Sequence, residues 1–470
     1  MTPSGEMPAR LPLTGADCFL RAFDAETRRT GGASHLSQLV LRLGPGFDPT
    51  RFERVVERVA LACPIVRAPI RRPAFRPPEY RLDLAPRAAL PRIAVHHSAL
   101  PRGRAAFAGD EPIPAVFFER LNAPMALRRG ELLRFDVVRH AAPDGADAGT
   151  DLAMTWAHML MDGSGSENVL AHLAAVDAGA RAPDALPADE WAPQIAPLPA
   201  TLRERGERAR TWHAHLLSFA RARPVSPAGP LRRVPQELRY ANDWMDEAES
   251  ARVFERAKAK AGFLTPMLFY LAAAVRAHAA VLRARGTAVP SWVVPLPVNA
   301  RPRGSEGAFF RTRVSMLWFQ LLPEQIATLD GAIDALKQQR HALIKSGAVE
   351  NGMAAMDLAR HAPMRAYSAL ARSAFRGELC SFFFAWTGEF APGVASLCGA
   401  PVRNAFHTPS VPASPGSGAI LCSRAGRLNA VHVHQRGVFR DDELALYRAA
   451  LRADLVGAEG DGARASGGGG

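Results

Sequence analysis

Residues 151–176 read DLAMTWAHMLMDGSGSENVLAHLAAV, and this stretch decides the fold class. Up to residue 157 the side chains alternate, with Leu152, Met154 and Trp156 on one face and Ala153, Thr155 and Ala157 on the other, the period of a strand. The pattern breaks at Asp162-Gly163-Ser164-Gly165 and resumes as a helix whose apolar stripe is Val169, Leu170 and Leu173. Ser164 and Glu167 have the spacing of a capping box, which predicts the helix start there. His158 thus falls at a strand end ahead of a tight turn, where an imidazole can be held rigidly toward a cleft.

Outward from this stretch, the first half alternates short strands with helices. Strands are predicted over 34–43, 65–72, 80–84, 93–97 and 131–140, a helix from Asp48-Pro49 to Cys63, and a short helix over 115–122. The second half has the same mixture. Helices are predicted there over 250–262, 265–285, 325–345, 354–375 and 441–455, and strands over 292–299, 314–322, 382–386, 418–422 and 428–434. Thr265-Pro266 reads as an N-cap followed by Pro in the first helical position. Between the halves, Ala, Pro and Asp dominate 178–199, one charged helix follows over 201–222, and 224–235 is turn-rich. The expected organisation is mixed α/β (α+β): a leader over 1–12, a first lobe over 13–176, a crossover linker with a helix over 177–238, a second lobe over 239–458, and a disordered tail over 459–470.

Composition narrows the function classes. With 48% hydrophobic and 22% charged residues the chain is globular rather than disordered. The formal net charge of +13 is carried almost wholly by Arg spread along the chain. A basic face attracts acidic partners such as CoA, phosphopantetheine, an acidic carrier protein or an anionic membrane surface. There is no zinc-finger spacing and no basic strand interleaved with aromatics, which argues against nucleic acid as a partner. The five cysteines are Cys18, Cys63, Cys380, Cys398 and Cys422; without a C-x-x-C pair they read as reduced, buried thiols of a cytoplasmic protein. No basic-then-apolar signal pattern opens the sequence, and the apolar run 264–282 carries Arg276 and His278, so it reads as a core helix and not as a transmembrane segment. Membrane contact, if any, is expected to be peripheral. His432 and His434 have the spacing to share one strand face, but no third ligand accompanies them and no metal is expected.

Several motifs carry chemistry in a fixed order. They are LPLTGADCFL at 11–20, NAPM at 122–125 followed by GELLR at 130–134, His158-x-x-x-Asp162-Gly163, VPLPVNAR at 294–301, Thr387-Gly388, and the closing helix. Together they resemble the chloramphenicol-acetyltransferase-like acyltransferases, a superfamily that includes nonribosomal-peptide condensation domains, plant alcohol acyltransferases and bacterial wax ester synthase/diacylglycerol acyltransferases. The resemblance spans about the whole chain. It implies two lobes, each a mixed sheet with flanking helices, and an active-site channel between them. It also implies an ion pair of Asp162 with Arg301 that ties the halves together. Three positions differ from relatives: Ala157 stands where many have a second histidine, Thr265-Pro266 where the wax-synthase group has Asn-Asp, and Arg311-Thr312 where it has Gly-Asn.

The residues support the same chemistry on their own terms. Acyl transfer from a thioester needs a base within hydrogen-bond reach of the acceptor, and a neutral imidazole suits that task. A thioester is already activated, and no G-x-S-x-G elbow and no cysteine near His158 offers an acyl-enzyme route. The expected roles are His158 as general base, Asp162 and Arg301 as its structural frame, Gly163 as space for the thioester arm, and Thr387 and Trp386 as oxyanion donor or tunnel wall. The expected reaction moves an acyl group from acyl-CoA or a carrier-bound phosphopantetheine to a small-molecule alcohol or amine, an alcohol before an amine, with no cofactor. One alternative joins or releases chains bound to an acyl or peptidyl carrier protein; another is an inactive scaffold on the same fold.

Overall fold

The structure, a computed structural model, describes residues 7–457 apart from 31–33, 75, 101–103, 105, 106, 193–197, 230–236, 302–306, 376 and 413. The tail expected at 459–470 lies outside the described residues. The first half runs β1 (Arg10–Pro12), α1 (Gly15–Arg29), β2 (Leu36–Leu43), α2 (Pro49–Ala62), β3 (Ile70–Arg71), β4 (Glu79–Arg81), β5 (Arg92–Ala99), α3 (Ala115–Asn122), β6 (Leu133–Ala141), β7 (Asp147–Ala157) and α4 (Gly163–Asp177). After it come α5 (Leu202–Phe219), β8 (Leu238–Trp244), α6 (Glu247–Ala261), α7 (Pro266–Ala284), β9 (Trp292–Asn299), β10 (Val314–Leu321), α8 (Leu329–Lys345), α9 (Ala348–Ala359) and α10 (Met364–Ser373). The chain closes with β11 (Phe383–Glu389), β12 (Ser396–Leu397), β13 (Ala400–Thr408), β14 (Ser417–Arg424), β15 (Arg427–Gln435) and α11 (Asp441–Val456).

Two mixed sheets carry the lobes. The first has the order β12-β13-β2-β7-β6-β5, antiparallel except for the β5–β6 pair; the second has the order β11-β14-β15-β8, with β11 parallel to β14. The lobe boundaries expected at 176 and 239 therefore cut across a sheet. β12 and β13 belong to the second half by sequence, yet β13 pairs with β2 and places His407 opposite Leu39. β9 and β10 form a separate antiparallel hairpin. Pro295 and Pro297 sit at alternate positions of β9 and supply no N–H, which suits a strand paired on one side only.

The core of the second lobe is α7, whose residues 268–275 are all buried, Ala272, Ala273 and Ala274 among them. It is long and apolar enough to cross a membrane by composition, but α6, α8 and α11 pack around it. The helix start differs from the expected cap: the Thr265 hydroxyl donates to Ala261 O instead of capping, and Pro266 alone marks the first turn.

Four further expectations are corrected. The leader is not merely a leader: Leu11 is buried in β1, which pairs with β4. α1 is not among the expected helices; Thr14 and Asp17 form its capping box, and the helix packs on α9 and α10. The helix expected over 354–375 is two helices, because Pro363 cannot continue the first. At the start of α4 the cap is Asp162, which accepts from Gly165 N at 2.8 Å, while Glu167 turns away and accepts from Ala391 N at 2.9 Å. Asp suits an N-cap as well as Ser does, and Asp162 takes the position expected of Ser164.

Candidate active site

The turn after β7 is locked on every side. His158 N donates to His35 O at 3.1 Å, the last rung between β7 and the approach to β2. Leu160 N donates to Ala157 O, Trp156 Nε1 to Met161 O at 2.9 Å, and Tyr80 Oη to Met159 O at 2.8 Å. Met159, Leu160 and Met161 are buried. The second half then lays residues 309–313 across this turn: Arg311 N donates to Leu160 O at 2.6 Å, and Met161 pairs with Arg311 in an isolated parallel bridge. The strip is itself held by two buried carboxylates. Glu190 accepts from Phe309 N and Phe310 N, and Asp17 accepts from Thr312 N at 2.7 Å. Burial raises the pKa of both, and the backbone donors pull them back.

Asp162 is the corner where the two halves meet. Its Oδ2 accepts from Arg301 Nη1 at 2.9 Å and from Arg313 N at 2.8 Å, while Oδ1 caps α4. Both partners of the ion pair are buried, with 4% of the Arg301 side chain and 5% of the Asp162 side chain exposed. Arg301 is fixed further by Nε donating to Ala308 O at 3.0 Å.

His158, by contrast, opens onto a cavity of about 300 Å³ at the junction of the lobes. α1 walls it with Phe19 and Phe23, β9 with Pro295 and Pro297, β10 with Val314 and Met316. Two more imidazoles line it, neither of them marked by any motif. His35 stacks on His158 with centroids 5.5 Å apart. His407 arrives on β13 and packs against Phe390 at 5.3 Å. Among the described residues, the Nδ1 atoms of all three are buried and have no hydrogen-bond partner. Burial pushes every one of these imidazoles toward the neutral form. His407 falls to about 4 and His35 well below its usual value, both also repelled by charge on His158. His158 itself is lowered by burial, with the Met161 backbone and the Asp162 carboxylate partly restoring it.

The glycines of the turn divide their work. A Cβ at Gly163 would lie 3.0 Å from His407 Nε2, so the side chain missing there makes room first for that ring. A Cβ at Gly165 would stand 2.2 Å from Phe309 O, a collision with backbone that cannot move aside. Thr387 and Trp386 also border the cavity; Thr387 Oγ1 is buried without a hydrogen-bond partner among the described residues, and Trp386 stacks on Tyr270 at 4.3 Å. His432, the first of the strand pair His432 and His434, is buried beneath the second lobe's sheet, bonded to Ser417 Oγ and stacked on Tyr447, away from this cavity. No sequence signal marks His35 or His407 as neighbours of His158, because only the strand pairings bring them together.

No protein-family model matches the sequence, and no curated protein matches it. Solved structures match its fold. The first condensation domain of the calcium-dependent antibiotic synthetase superposes with a TM-score of 0.67 at 16% identity, covering 96% of each chain. The trichothecene 15-O-acetyltransferase TRI3 from Fusarium sporotrichioides superposes with a TM-score of 0.67 at 13% identity, covering 95% of this chain and 94% of that one. The condensation domain of the monacolin K polyketide synthase MokA gives 0.62 at 15% identity, covering 96% and 98%. The chain has the two-lobed fold that these proteins share.

Proposed function

We propose that the protein is an acyltransferase that moves an acyl group from a thioester to a hydroxyl acceptor, with His158 as general base. The observation that carries this reading is the state of His158: a half-buried imidazole, biased toward neutrality, facing a cavity at the lobe junction from a turn that cannot shift. In the proposed step the imidazole takes the acceptor's proton as its oxygen attacks the thioester carbonyl. The tetrahedral oxyanion collapses, the C–S bond breaks, and the imidazolium returns the proton to the departing thiolate. The Thr387 hydroxyl and the His407 ring border the cavity, and we assign them to the oxyanion and to substrate orientation. A covalent acyl-cysteine is disfavoured. All five thiols are buried, and burial pushes Cys18, Cys63 and Cys398 up to about 12 and the other two well above the usual value.

We favour a hydroxyl over an amine because an O-acetyltransferase is among the chains of the same fold. A second reading, condensation or release of chains bound to a carrier protein, is supported by the condensation domains of that fold. The test offers purified protein a panel of acyl-CoAs and acyl-carrier proteins with alcohols and amines, followed by mass spectrometry. Turnover of free acyl-CoA with an alcohol supports the first reading; turnover only from carrier proteins supports the second. Full activity of His158→Ala on every accepted pair would rule out the assigned base.

A further inference from the structure

Behind the His158 cavity lies a second and larger one, of about 540 Å³, within the range of small-molecule sites. The crossover helix α5 walls it with Trp212 and Leu216, β10 with Trp318, and α10 with Tyr367 and Ala371. Its lining is mostly carbon: Ser315 spends its hydroxyl on Val349 O, and the charged or titratable side chains that border it besides Tyr367 are Arg210 and His213 of α5. At its outer edge Leu217 and Leu370 are 47% and 53% exposed. The space is a groove open to solvent along α5 and α10, so its apolar lining is water-exposed in the free protein, and covering it with hydrocarbon is favourable.

The two cavities are neighbours. Phe19, Met316 and Met356 line both, and these three side chains form the partition. Two of them are methionines, whose unbranched thioethers rearrange at small cost. We propose that the chamber holds the aliphatic tail of the substrate, a run of methylenes that passes the Phe19–Met316–Met356 partition while its reacting end lies at His158. The tail belongs either to the acyl thioester or to the acceptor alcohol. This inference rests on the acyl-transfer reading for which end reacts, not for the chamber's taste for hydrocarbon. The linker helix α5 thereby becomes a wall of the site and a determinant of chain length.

Calorimetric titration of the full chain separates these points. The probes are unreactive S-ethyl-, S-octyl- and S-dodecyl-CoA thioethers and, in a second series, 1-alkanols of the same lengths. Full burial of a methylene is worth up to about fourfold in affinity, and half that transfer free energy still gives about 50-fold between ethyl and octyl. Ala371→Trp should remove most of this gain by filling the chamber, and Met356→Ala should move the preferred length upward; melting curves check that both variants are folded. Length dependence in the thioether series assigns the tail to the donor, and in the alkanol series to the acceptor. Equal affinity for ethyl and dodecyl probes in both series would overturn the proposal, as would a length dependence that neither substitution alters. Length-dependent binding without acyl transfer from any donor would leave the chamber standing and remove the catalytic reading. Transfer that depends on His158 but ignores chain length would do the reverse.

Discussion

Asp162 and His158 belong to one turn and stand in opposite states. Asp162 is saturated: a capped helix, a guanidinium from the far half and a backbone N–H use both its oxygens. The imidazoles of His158, His35 and His407 each keep a buried Nδ1 with no hydrogen-bond partner among the described residues. A charge that must stay buried is given every bond available, because leaving it unpaired is costly. The three imidazoles carry no such charge to satisfy, because burial biases each of them toward the neutral form. One carboxylate holds the frame, and three neutral rings furnish the cavity.

The contrast breaks most visibly at His158. His158→Ala should lower turnover by about 10²–10⁴-fold, the usual share of a general base, while the unfolding midpoint stays close to wild type. At Asp162 the readout inverts. Asp162→Asn or Arg301→Ala should reduce unfolding free energy by about 3–5 kcal/mol in denaturant titrations, and the double variant should cost far less than the sum. A rate loss without a stability loss would assign Asp162 to chemistry instead of framing.

The glycines give a finer cut. Gly165→Ala drives a methyl into Phe309 O and should destabilise by about 1–3 kcal/mol. Gly163→Ala meets only the edge of the His407 ring, so its effect should fall on turnover more than on melting. At neutral pH the smallest readout is a slope that grows only on acidification. His407 and His278, depressed to about 4 and about 3, bind fewer protons when folded than the usual value near 6.5 allows when unfolded. The unfolded state therefore takes up more protons as pH falls, and stability declines from about pH 6.5 toward pH 4 by up to about 1.4 kcal/mol per pH unit for each such histidine. His407→Gln should flatten that decline in melting curves between pH 4 and 6.5. Because His158 is also lowered, the acid limb of the rate profile should lie below pH 6.5.

The strand–turn–helix of 151–176 was legible because its two periods are local, and so were β9, α7 and the arginine at 301. The strand-end position of His158 was read from spacing, and the resemblance implied the Asp162–Arg301 pair, which the structure joins at 2.9 Å. What escaped was set by partners distant in sequence. α1 has an amphipathic pattern and a Thr14–Asp17 capping box that are local signals; what they do not reveal is that Asp17 holds Thr312 N and that Phe19 and Phe23 wall the cavity. Glu167 fitted a capping box, but the approach of Ala391 N drew it elsewhere. His35 and His407 meet His158 through two strand pairings, and register between separated strands is not written in either strand by itself.

That late strand also imposes an order of assembly. β2 lies near the start of the chain, and its partner β13 ends at Thr408. At synthesis rates of roughly 5–20 residues per second, β2 waits on the order of tens of seconds for that edge to emerge. During that interval the first sheet has an open edge, and the pocket beside His158 has no His407. A nascent chain therefore cannot complete this cavity until nearly all of it has left the ribosome. A truncation before Ala400 would carry His158, Asp162 and Arg301 without the strand that completes their surroundings.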